Sequence, residues 1–172
     1  MSAPDLSRPI KVRPLPGEVL IVEANEAERA ALAQRFGLSA VESLRAEIEL
    51  EDKGKAIRAT GRLDARIVQV CAISAEDFPI TISEPVDLRF VPEGSPAAVG
   101  EEIELEADDC DEIEYSGDSF DIGEAVAQTL GLAIDPYAEG PSADAARKAA
   151  GIVAEGEQEG PLAAALAALK KD

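Results

Sequence analysis

The chain has 172 residues, of which 46% are hydrophobic, but it holds only two Tyr, four Phe and no Trp, so its core must be aliphatic. It has no His, which removes Ser-His-Asp and Cys-His nucleophile pairs and imidazole metal ligands. The two cysteines, Cys71 and Cys110, do not make a four-ligand zinc site alone, and nothing in the sequence points to an oxidising compartment for a disulfide.

The formal charge of −19 sits in one part of the chain: residues 1–70 hold 11 Lys+Arg and 11 Asp+Glu, residues 71–172 hold 5 and 24. From Phe90 to Ala146 there is no cation against 16 acids, 11 of them between Glu101 and Asp121. Such a region repels phosphate, because nucleic-acid binding depends on Lys and Arg displacing counterions. No stretch approaches the roughly 18 apolar residues of a membrane span. The expectation is a soluble, cytoplasmic protein.

Residues 1–17 carry Pro9, Pro14 and Pro16 and predict an extended arm. EVLIVE at 18–23 suits a strand. Asn25, with Glu28 three positions later, predicts a capped helix that Gly37 stops. In Leu44–Glu51 the apolar set Leu44, Ala46, Ile48 and Leu50 alternates with charges, the period of a half-buried strand. Asp52–Lys53–Gly54 suits a hairpin turn. The second run, 56–71, puts Ile57, Ala59, Leu63, Ala65 and Ile67 on one side and Arg58, Thr60, Arg62, Asp64 and Arg66 on the other. A third, 79–90, buries Ile80, Ile82, Val86, Leu88 and Phe90, with Pro85 marking an edge or a bulge.

Strands are also predicted over 101–106 and 110–115. Asp121 and Glu124 form a second capping-box-like start, for a helix that Asp135–Pro136 ends. Ser142 is placed to cap ADAARKAA, which Gly151 stops, and PLAAALAALKK at 161–171 has Pro161 at its first helical position. The expected fold is α+β: a mostly antiparallel β-sheet with flanking helices and an acidic, partly flexible helical C-terminal tail. The expected organisation is an arm over 1–17, an α+β domain over 18–136 and a tail over 137–172.

Two readings of the acidic run stand side by side. It is a solvated face, or it is a landing surface for a basic protein, with Glu101, Glu102, Glu104, Glu106, Asp108, Asp109, Asp111 and Glu112 as contacts. Arg58, Arg62 and Arg66 are candidates to touch an RNA backbone. The preferred alternative pairs them across strands with Glu47, Glu49, Glu51 and Asp64. Cys71 reads as a small buried hydrophobe whose thiolate has no neighbouring cation. No catalytic residue, metal site or cofactor site is predicted. The many carboxylates lack the aromatic platforms that a glycoside hydrolase adds.

Four segments in order resemble the YceD family, the large ribosomal RNA subunit accumulation proteins. They are GRLDARIVQVC leading to FPITISEPVDLRFVP (61–92), EEIELEADDCDEIEY (101–115), FDIGEAVAQTLGLAIDP (120–136) and PLAAALAALK (161–170). Many members resemble C-x-R-C after the central strand; here Cys71 matches and Ser74 stands at the second Cys, so no thiol-pair or metal role carries over. The resemblance implies a bacterial, non-enzymatic factor for 23S rRNA accumulation or processing and large-subunit assembly. Charge placement adds a basic partner, a ribosomal protein or an RNA-processing enzyme, with pre-50S or 23S rRNA touched indirectly. The alternative is an acidic adaptor, or nucleic-acid mimic, regulating an RNA-processing enzyme.

Overall fold

The computed structural model describes residues 5–94, 111–152 and 168–169. Within them the chain divides into two units, Met1–Gln69 with Pro79–Asp135 and Val70–Phe78 with Pro136–Asp172.

In the first unit, β2 (Leu20–Glu23), β3 (Ala40–Asp52), β4 (Ile57–Val70), β5 (Asp77–Pro92) and β6 (Asp111–Tyr115) form a sheet in that order. Strand β3 points Leu44, Ala46 and Ile48 inward, and β4 points Ile57, Ala59, Leu63, Ala65 and Ile67 inward. Their antiparallel register sets Ala46 opposite Leu63 and Leu44 opposite Ala65, so the two apolar sets share one face. Burying a Leu or Ile side chain fully contributes about 2 kcal/mol, which favours this register over one slipped by a residue. A bulge between Val41 and Ser43 lets both Val41 and Leu44 face the core. At the β3–β4 corner the Asp52 carboxylate accepts the Gly54 N–H at 2.7 Å, and Gly54 takes φ 83°.

The antiparallel expectation holds for most of the sheet but not for β6, which pairs parallel to β5 from Leu88↔Asp111 to Pro92↔Tyr115. Side-chain alternation is the same in either direction, so it does not reveal strand sense. The connection between Pro92 and Asp111 has the dozen or more residues that a parallel crossover needs. Pro85 precedes the β5–β6 ladder, where its missing N–H leaves that ladder intact.

Two helices belong to this unit. Helix α1 (Glu26–Phe36) begins with a full capping box between Asn25 and Glu28 and ends at Gly37, φ 64°. It buries Leu32 and Ala33. Helix α2 (Ile122–Ala133) buries Ile122, Ala125, Val126, Ala127 and Leu130. Its N-cap is Asp121, whose side chain accepts the N–H groups of Gly123 and Glu124. The predicted second capping box is only half formed. Glu124 does not reach back to the cap; its carboxylate takes the Arg35 guanidinium at 2.8 and 2.9 Å, a stronger charged partner than a backbone N–H.

The N-terminal stretch is more than an extended arm. Pro9–Lys11 forms β1, antiparallel to β7 (Ser119–Asp121), and Leu6 is fully buried. Proline is tolerated there because Pro9 is the first residue of the strand.

In the second unit, a turn over 71–76 is closed by Cys71 N–H to Glu76 O at 2.8 Å and Ala75 N–H to Cys71 O at 3.1 Å. Ala72 N–H reaches Ala138 O at 3.0 Å. Helix α3 (Ala143–Ala149) starts after Ser142, but the Ser142 side chain makes no capping bond, contrary to the sequence pattern. Asp144 and Arg147 pair within it at 3.2 Å, and Arg147 also binds Glu139. The strand predicted over 101–106 lies outside the described residues. So does the helix predicted over 161–171, except for Ala168 and Leu169, which are helical.

Candidate functional site

The outward face of the sheet carries Arg58, Arg62 and Arg66, four residues apart on β4, as period-two alternation dictates. Each is engaged. Arg58 clamps Asp87 of β5 through Nε and Nη2 at 3.0 and 2.8 Å. Arg62 donates to Ser83 Oγ at 2.8 Å and lies 3.7 Å from Asp64, which in turn accepts the Ser83 hydroxyl at 2.5 Å. Arg66 meets Glu42 at 2.6 Å.

Pairing across strands is thus present, with a partner set different from the predicted one. Backbone register puts Glu51 opposite Arg58 and Glu47 opposite Arg62. Of the predicted four, however, it is Asp64 that meets Arg62, while Arg58 meets Asp87 and Arg66 meets Glu42. Long side chains on a twisted sheet take diagonal and next-strand neighbours. The sequence alone could not say that β5, with Asp87 and Ser83, lies beside β4. A phosphate contacting these arginines competes with bonds already made, each worth about 0.2–1 kcal/mol at an exposed position.

The other predicted surface is only partly described. Glu101, Glu102, Glu104, Glu106, Asp108 and Asp109 lie outside the described residues. Asp111 and Glu112 open β6, where both are exposed, and Glu112 pairs with Arg89 at 3.0 Å.

Two further pairs tie the first unit together. Arg8 grips Glu28 at 2.6 Å, and Arg35 grips Glu124. The Arg8 hydrogen bond holds the Glu28 carboxyl below its ordinary value, burial opposing it. The Arg35 hydrogen bond does the same for Glu124.

Cys71 departs from its sequence reading. It is buried, as predicted, but its thiolate has support of a kind the sequence does not display. Sγ accepts the N–H groups of Ile73, Ser74 and Gly140 at 3.4, 3.3 and 3.2 Å. The Ser74 side chain is the largest influence, followed by the Ser74 and Gly140 amides; together they outweigh burial and bring the thiol down to about 7. No charge is involved: folded backbone amides supply the field. Close packing helps to place them, because a Cβ at Gly140 would lie 2.9 Å from the Phe78 ring. Among the described residues no group of three or more His, Cys, Asp or Glu converges to hold a metal ion. Likewise, no helix among them is long and apolar enough to cross a membrane.

Comparison with family models matches residues 59–171 to the large ribosomal RNA subunit accumulation protein YceD family. That is most of the chain. The protein belongs to the YceD family. The match takes in β4 from Ala59, β5, β6, α2 and α3, so the arginine strand and Cys71 lie within it. No curated protein and no solved structure matched the chain.

Proposed function

We propose that the protein supports accumulation of the large-subunit ribosomal RNA as a non-enzymatic cytoplasmic factor, offering its acidic residues to a basic protein partner. Membership of the YceD family supplies the process. Charge supplies the mechanism: residues 71–172 hold 24 acids against 5 cations, and two of those cations, Arg89 and Arg147, are already held by Glu112, Glu139 and Asp144. This excess is the observation that carries the reading. It favours a partner with the opposite field, a basic ribosomal protein or an RNA-processing enzyme, whose association it speeds.

The test is a tagged pull-down of the full chain from bacterial lysate at low and moderate salt, with and without ribonuclease. Recovery of large-subunit proteins that survives ribonuclease and fades with salt is the expected result. Recovery of no large-subunit component overturns it. Recovery of an RNA-processing enzyme that added RNA displaces would instead support a regulator that mimics nucleic acid.

A further inference from the structure

Two cations outside the ion pairs of the described residues, Arg13 and Lys55, line one hollow of the first unit. A depression of about 320 Å³ lies at the β3–β4 corner, where Arg13, Lys55 and Asp52 provide its charges and Val12, Pro92 and Tyr115 are among its apolar walls. Arg13 and Lys55 are exposed, and among the described residues neither has an ion pair. The neighbouring Lys53, by contrast, is held by Glu51 at 2.6 Å. Asp52 already spends one oxygen on the Gly54 amide. The described residues that line it therefore carry one net positive charge, matched to one phosphodiester. Tyr115 is half-buried, with its ring 6.0 Å from that of Phe120, and lines the same hollow.

We propose that this depression binds single-stranded RNA: Arg13 and Lys55 hold a backbone phosphate, and a neighbouring base packs on the Tyr115 ring. Two unspent cations beside an aromatic face are the elements of a sequence-tolerant single-strand site. The β4 arginines offer less, because Asp87, Asp64 and Glu42 already meet them. This site rests on the large-subunit reading above only for the source of the RNA. It gives an acidic chain one local place where phosphate is attracted.

The test uses the full chain and a fluorescent ten-nucleotide oligouridine, followed by anisotropy at low salt, with inorganic phosphate as a competing probe. R13E/K55E should weaken binding by 10-fold or more, and R58Q/R62Q/R66Q by less than 2-fold. Tyr115→Phe keeps the ring and should bind like the parent. Tyr115→Leu should lose roughly 5-fold or more, as removing a stacking ring does. The dependence of log affinity on log salt should have a slope of about −1.4 for two phosphate contacts by a single strand. Circular dichroism checks that each variant is folded, and the charge reversals, on exposed side chains, leave the core intact.

Equal binding by R13E/K55E and the parent overturns the site, as does loss confined to the R58Q/R62Q/R66Q variant. Competition by inorganic phosphate as strong, per phosphate, as by the oligonucleotide overturns the RNA assignment. Any of these outcomes leaves ribonuclease-resistant recovery of large-subunit proteins untouched, so failure of this site and failure of the large-subunit reading are distinguishable.

Discussion

The Ser7 hydroxyl donates to Asp121 Oδ2 at 2.6 Å, across 114 positions of sequence. The other oxygen of the same carboxylate accepts the Arg8 amide at 2.7 Å and the first amides of α2, Gly123 at 2.9 Å and Glu124 at 3.1 Å. One side chain thus caps a helix and fastens the N-terminal segment. Gly123 completes the junction, since a Cβ there would lie 2.7 Å from Arg8 N and 2.9 Å from Leu6 O.

Asp121→Ala should lower unfolding stability by about 2 kcal/mol, the upper end for an N-cap, because it also strands the Arg8 amide. Ser7→Ala should cost about 1 kcal/mol, the usual net worth of one hydrogen bond. Urea denaturation followed by circular dichroism reads both. Equal effects would show that Asp121 contributes nothing beyond its bond to Ser7.

The acid limb of stability should depend on Glu28 and Glu124. Both carboxyls sit below their ordinary value in the folded chain, through Arg8 and Arg35 respectively. A depressed carboxyl stabilises above its unfolded pKa, about 4.3, and that contribution is lost as pH falls through the folded value. Neutralising the acidic excess works in the opposite direction by relieving self-repulsion, so the informative quantity is a difference. The stability gap between parent and E28Q/E124Q should be present at pH 7 and shrink below about pH 4. A gap of constant size in urea melts at pH 7, 5 and 3.5 would refute this.

Cys71 should titrate near neutrality. In Cys110→Ser, which leaves Cys71 as the sole thiol, thiolate absorbance at 240 nm should rise with a midpoint near 7. The folded value lies below that of a free thiol, about 8.5. The thiolate therefore contributes stability above about 8.5, and this contribution fades as pH falls through about 7. Adding Ser74→Ala should raise the midpoint, because the Ser74 side chain is the largest favourable influence. An ordinary midpoint in the folded protein would show that the three amides do not stabilise the charge.

Gly61→Ala should destabilise the sheet by about 3 kcal/mol, the larger cost of overpacking. A Cβ at Gly61 would stand 1.9 Å from the Glu47 carbonyl oxygen, so β3 and β4 must separate to admit it. Thermal melting measures the loss. An unchanged midpoint would mean that the strands approach less closely.

The sequence by itself determined what depends on neighbours along the chain. Alternation located β3, β4 and β5 and their inward residues, because side-chain direction repeats every two residues. Asn25, Glu28 and Gly37 bounded α1, because caps are local chemistry. The segments that resemble the YceD family, and the excess of acids after residue 70, were likewise legible as written. Tertiary structure decided what depends on which strands and segments become neighbours. The sense of β6, the pairing of Arg58 with Asp87, and the diversion of Glu124 from its cap to Arg35 all follow from long-range placement. The same holds for Cys71, whose amide donors include Gly140, 69 positions away. A backbone N–H has no residue code, so the field that favours its thiolate exists only once the chain has folded.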